Sequence, residues 1–223
     1  MSTDFATELG RLDELARLLH SRAMGDGSAS AAARYGACLY QRAVLSGTPG
    51  HSTEAAQVVD DALARHPGWP DLWLLKAKLD FHVHRFHEVE RDLARLALLC
   101  DCSERRAIAA DLDLHFGRHE AVARVYRGLA VEEPTWENLC RLANLETQLG
   151  RLEAALALYA RAAEEITAKE MRAFAWLQVQ WGDTELALGK PARARRRYAA
   201  ADAAYSGYWL VEERIARHRV EVV

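Results

Sequence analysis

Proline and glycine are scarce, 5 and 13 in 223 residues, and they fall mostly between amphipathic segments rather than inside them. That excludes fibrous and low-complexity chains, which use such residues in bulk. Cysteine is scarcer: 4 are too few to staple a chain of this length, and they suit a reducing compartment. Runs alternating Val, Ile or Thr with polar residues, the mark of strands, are almost absent. No stretch approaches the roughly 18 uncharged apolar residues of a membrane helix. The opening, MSTDFATELGRLDELARLL, has no apolar core of a secretory signal. A dominant charge is missing too. Lys and Arg total 29 against 32 Asp and Glu, and a net of −3 gives no overall drive toward nucleic acid or an acidic membrane. With 50% hydrophobic and 27% charged residues, the chain can bury a sizeable core and stay dissolved. A cytoplasmic protein with neither a nucleic-acid nor a membrane partner is expected.

What remains is rich in Ala, Leu, Arg and Glu, all strong helix formers. Phe5, Leu9, Leu12, Ala16 and Leu19 recur at helical spacing, so the first segment is a helix with one face to dock. Further on, the chain repeats itself. Val89, Val122, Ala155 and Ala194 stand at steps of 33, 33 and 39 residues. Four residues later come Leu93, Tyr126, Tyr159 and Tyr198, then Leu96, Leu129, Ala162 and Ala201. Before them lie His84, Gly117, Gly150 and Gly189, and earlier still Ala77, Ala110, Ala143 and Gly182. Ala55, Val59, Ala62 and Pro67 mark a fainter preceding unit, whose first helix runs around Gly36.

Each column has a physical reason. The small residues let the two helices of a hairpin approach closely, and the large residue fills the space beside that contact. Glycine between the helices permits positive φ. Pro67 and Pro134 separate units because proline fits only the first turn of a helix.

The pattern resembles the tetratricopeptide repeat family. Trp136 to Ala163 carries it best, with Ala143, Gly150, Ala155, Tyr159 and Ala162 at the signature places; Trp73 and Pro134 also match. His84 replaces the turn glycine and Leu129 a small residue, and the extra residues of the last step lie around Ile166 to Met171, where longer helices are expected. The resemblance implies an all-α, right-handed α-solenoid of stacked antiparallel helix pairs: about five repeats with capping helices. The organisation expected is one solenoid domain. An N-terminal cap spans residues 1–27, a divergent repeat 28–68, four repeats 69–205, and a C-terminal helix and tail 206–223. A helix pair cannot hide its apolar stripes alone, so neighbours must stack and both ends need covering.

No phosphate-cradling loop, nucleophile arrangement or metalloprotease helix is present, no cofactor is implied, and no enzyme is expected. The histidines are unusual. His82, His84, His87, His115 and His119 gather at the turns, and His82 and His115 are one repeat apart, hence about 10 Å in adjacent layers. They are exposed turn residues or, alternatively, a metal-binding or pH-sensing edge. Cys100 and Cys102 lie at the other end of the hairpins, about 20 Å away, and so cannot share a metal with them. They are reduced, half-buried thiols or the start of a metal or redox pair. Arg193, Arg195, Arg196 and Arg197 spread around a solvated convex face without the aromatic platform that nucleic acid needs.

The groove lined by first helices is then the working surface. The resemblance places Leu74, Lys78, Phe81, Ile108, Asp111, Leu114, Arg141, Asn144 and Asp183 on it. Asp111 and Asp183 would repel a carboxylate ligand, which argues against gripping the acidic C-termini of chaperones. An apolar floor of Leu74, Phe81, Ile108 and Leu114 with mixed charges suits a peptide or amphipathic helix. The expected function is a non-catalytic protein-interaction module or scaffold binding an unknown protein or peptide. The apolar C-terminal tail, residues 220–223, is a candidate for homodimer contact.

Overall fold

The computed structural model describes residues 4–167 and 170–220, without the side chains of Asp26 and of residues 218–220. Among these residues are 12 helices and no strand. They are α1 (Phe5–Asp26), α2 (Ala29–Ser46), α3 (Pro49–Arg65), α4 (Pro70–His82), α5 (Phe86–Ala97) and α6 (Ser103–His115). α7 (His119–Glu132), α8 (Trp136–Gln148), α9 (Leu152–Glu165), α10 (Met171–Ala187), α11 (Pro191–Ala204) and α12 (Trp209–Val220) follow. They form two compact units. One comprises residues 9–116, and the other residues 117–223 together with the first eight.

In the unit of residues 9–116, α2 pairs with α3 and α4 with α5. α4 meets both helices of the preceding pair, and α6 meets α4 and α5 in turn. α1 lies on α2: Leu12, Ala16 and Ala23 are buried, the Cys38 thiol reaches the Leu12 carbonyl at 3.5 Å, and His20 meets Tyr35 edge-on at 5.3 Å. The other unit repeats the scheme. α8 pairs with α9 and α10 with α11, while α12 meets α10 and α11 as α10 meets α8 and α9. Here the first turns of α1 take part. Phe5 N–H donates to the Ser206 carbonyl at 3.1 Å, and the Tyr205 hydroxyl donates to Glu8 at 2.6 Å.

The repeat columns explain why the pairs close. Ala77, Ala143, Val89, Val122, Ala155, Leu96, Leu129, Ala162 and Ala201 are all fully buried, and Tyr126, Tyr159 and Tyr198 are 1% exposed. Burying each Val or Leu among them contributes about 2 kcal/mol, and each Ala methyl less than half of that. Close approach is real where the columns demand it. A Cβ on Gly182 would lie 2.6 Å from Tyr198 Cε1, and one on Gly36 would lie 2.9 Å from both Leu75 and Val59. The turn column also holds: Gly117, Gly150 and Gly189 have φ of 73, 73 and 68°, and His84 takes the same left-handed conformation at 60°.

The six extra residues of the last step are shared between helix and loop. α10 has 17 residues against 13 in α8, while α9 matches α7 at 14. No described helix is long and apolar enough to cross a membrane.

Candidate functional site

In the unit of residues 9–116 α4 adjoins α2 on one side and α6 on the other, and a cleft of about 300 Å³ lies between α2 and α4. Ser30, Ala33, Arg34 and Ala37 line it from α2, and Asp71, Leu74, Leu75 and Lys78 from α4. The spacing is helical on both sides, so one strip of each helix faces the other across the opening. The small residues of α2 leave the room; Leu74 and Leu75 supply the apolar floor. Charge sits at the rim. Exposed Arg34 leans on the Ser30 hydroxyl at 3.4 Å, Asp71 is exposed, and Lys78 pairs with Glu104 on α6. A second cleft, about 450 Å³, shares Ser30 and Arg34 and continues toward Leu19 and Arg22 of α1.

Of the residues expected on the groove, Leu74 and Lys78 line this cleft. Phe81, half-buried, turns toward the α4–α5 end and meets Phe86 edge-on at 5.6 Å. Asp111 and Leu114 are half-buried on α6. Ile108, 4% exposed, packs with Ala77, Val89, Leu93 and Leu112. It stands one repeat after Leu75, which lines the cleft from α4. Ser30, Ala33, Arg34, Ala37 and Asp71 were missed. Gly36 in the small column would have found the four on α2.

The residues expected on the groove in the other unit are differently used. Asn144 accepts from the Tyr159 hydroxyl at 3.4 Å, and burial raises that phenol to about 12. Asp183 accepts from the Tyr198 hydroxyl at 2.7 Å and from Arg214 Nε of α12 at 3.0 and 3.1 Å. Arg214 is held above its usual value by these bonds, against its own partial burial. Arg141 donates to Asn138 at 3.2 Å.

The histidines do not assemble a metal site. Among the described residues no three His, Cys, Asp or Glu come together. His84 and His115 instead pack around Phe86, with ring centroids at 5.5 and 3.9 Å, and His82 meets Tyr40 edge-on. Burial, with His84 nearby, lowers the His82 pKa. His87 is exposed and lies 3.7 Å from Glu90, and His119 is half-buried. On α11, Arg193, Arg195 and Arg196 are exposed as the register requires. Arg197 is not: it lies half-buried over the Trp181 ring, 3.4 Å from its centroid, and pairs with Glu185 at 3.7 Å. The tail residues 221–223 lie outside the described residues, as does the side chain of Val220.

No protein-family model and no curated protein matches the chain. Solved structures do match. A tetratricopeptide repeat protein from Parabacteroides merdae superposes with a TM-score of 0.69 at 21% identity, over 92% of this chain and 76% of that one. Human IFIT1, solved as a dimer with PPP-AAAA, gives 0.70 at 12% identity over 85% of this chain and 45% of that one. A thermophilic repeat protein of Thermus thermophilus, TTC0263, gives 0.55 at 18% identity over 80% and 99%. The fold is the tetratricopeptide-repeat solenoid.

Proposed function

We propose, with this solenoid fold as premise, that the chain is a non-catalytic interaction module whose ligand is a protein segment seated in the α2–α4 cleft. The observation that carries the reading is the cleft itself: an apolar floor, small residues that leave depth, and opposite charges at the rim. An extended peptide or one face of an amphipathic helix can place apolar side chains against Leu74 and Leu75. Arg34 and Asp71 would then meet acidic and basic flanks and set the ligand's direction. At about 300 Å³ the cleft stands at the lower end of the range of ligand pockets, which suits one or two anchoring residues.

The test is selection of short displayed peptides on the whole chain, followed by binding to Ala37→Trp and Leu74→Arg variants. The expected result is a set of peptides with apolar anchors that lose at least about tenfold in affinity on both variants. Selected peptides that bind both variants as well as the parent would overturn the reading.

A further inference from the structure

Cys100 and Cys102 stand either side of Asp101 in the connection between α5 and α6, and their sulfurs are 3.1 Å apart. Both are partly exposed, whereas Cys38 and Cys140 are 5% and 2% exposed. We propose that Cys100 and Cys102 form a reversible dithiol–disulfide site, closed by exchange with a small disulfide such as oxidised glutathione.

The geometry is prepared by the flanking helices. Cys100 N–H donates to the Leu96 carbonyl at 2.9 Å at the end of α5, and the Cys102 carbonyl accepts from Arg106 N–H at 3.3 Å as the N-cap of α6. Each cysteine is therefore fixed to a different helix. The two sulfurs already stand within about 1 Å of the 2.05 Å of a bond. Holding them together raises the effective concentration of one thiol at the other far above that of any free thiol. The charge between them is also managed. Asp101 pairs with Arg105 at 2.7 Å, so the approach of an anionic oxidant is not opposed by a bare carboxylate. Burial protects the other two thiols, and that of Cys140 is pushed up to about 12, which leaves it protonated and unreactive.

The exchange proceeds in two displacements. One thiol of the pair loses its proton to water, and the thiolate attacks a sulfur of glutathione disulfide. A mixed disulfide forms and one glutathione thiolate leaves. The second cysteine, deprotonated in turn, attacks the protein sulfur of that mixed disulfide and expels the other glutathione thiolate. The pair gives up two electrons and two protons; the glutathione disulfide takes the electrons and becomes two thiols.

The test treats the full chain with glutathione disulfide, quenches by alkylation, and reads mass and free thiols. The parent is expected to lose two of its four thiols, become lighter by two hydrogens, carry no glutathione, and revert with excess reduced thiol. Cys100→Ser and Cys102→Ser are each expected to stop at the first displacement and retain one glutathione. Cys38→Ser and Cys140→Ser should close the pair as the parent does. A parent chain that keeps all four thiols, that holds glutathione at equilibrium, or that links to a second chain instead, overturns the proposal.

Discussion

Two places twelve residues apart in the repeat are filled oppositely in the two units. In the unit of residues 9–116 they hold Asp80 and Asp92, 2% and 4% exposed, an acid facing an acid. In the other they hold Glu185 and Arg197, an acid facing a base at 3.7 Å. Lys76 compensates the first pair, bonding Asp80 at 3.1 Å and Asp60 at 2.9 Å, with Arg85 at 3.6 Å. That leaves Asp92 with one oxygen unpartnered, and burial pushes it up to about 7, with Asp80 and Glu88 adding to the shift and Lys76 opposing it. The two places belong to the same repeat columns, yet only the second pair is an acid with a base. Equivalent positions fix packing volume, not electrostatics, because a helix pair reads shape first.

The largest effect should come from the column the units share in shape. Tyr198→Ala empties a site beside Gly182 and removes one donor to Asp183, and a loss of about 4 kcal/mol is expected in urea unfolding. Tyr198→Phe keeps the volume and loses only the hydroxyl, so about 1 kcal/mol is expected. Equal losses for the two variants would mean that the hydroxyl, not the ring, holds α10 and α11 together.

Asp92 tests the difference. A carboxyl raised above its unfolded value contributes stability below pH 4, and that contribution is lost as pH rises through about 7. Asp92→Asn should therefore stabilise by about 2 kcal/mol at pH 8 and by little at pH 5. Thermal unfolding at the two pH values checks it; a gain independent of pH would trace the effect to something other than charge.

Much of the fold was legible because the repeat columns are packing columns. Ala143, Tyr159 and Gly150 must be what they are wherever two helices touch and turn, so the sequence states their roles without reference to any partner. The groove was legible only in part. Lys78 and Leu74 followed from the register, but the small residues of α2 that open the cleft were not singled out. The cleft residues on α2 lay in the unit whose repeat was faintest. Another column went unread: Asp80, Asp113, Glu146 and Glu185 recur before the turns, and Arg85, Arg118, Arg151 and Lys190 just after them. Glu146 and Arg151 show its purpose, a carboxylate 7% exposed held by an arginine beyond the turn at 3.1 Å. Opposite charges five apart across a glycine were the available signal, and they look like solvated surface until the turn is closed. That Asp183 meets α12 depends on how the last helix folds back, which no local pattern states.

The turn itself offers a smaller contrast. His84 and Gly150 occupy one left-handed position, at φ of 60 and 73°. His84→Gly should stabilise by about 1 kcal/mol and Gly150→Ala should destabilise by about as much, since only the second adds a Cβ where φ is positive. If His84→Gly instead destabilises, the packing of its ring on Phe86 outweighs the backbone strain.

The smallest change in stability carries the sharpest functional contrast. Lys78 and Asp183 occupy one position of the repeat in the two units. The residue that could tether it from the second helix is Leu93 in the first case and Tyr198 in the second. Leu93 has no hydroxyl, and Lys78 pairs with exposed Glu104, whereas Asp183 is bound by both Tyr198 and Arg214. Asp183→Asn should lose about 1–2 kcal/mol of stability, because it weakens charge-assisted bonds that join α10, α11 and α12. It should leave the affinity of cleft-selected peptides unchanged. Lys78→Ala should do the reverse: stability within about 0.5 kcal/mol of the parent, as for an exposed pair, and peptide affinity altered. Titrating the same peptides into both variants, with unfolding measured alongside, separates a position spent on holding the stack from one left for a ligand. Were the two variants to exchange behaviour, the open groove would belong to the unit that contains α12.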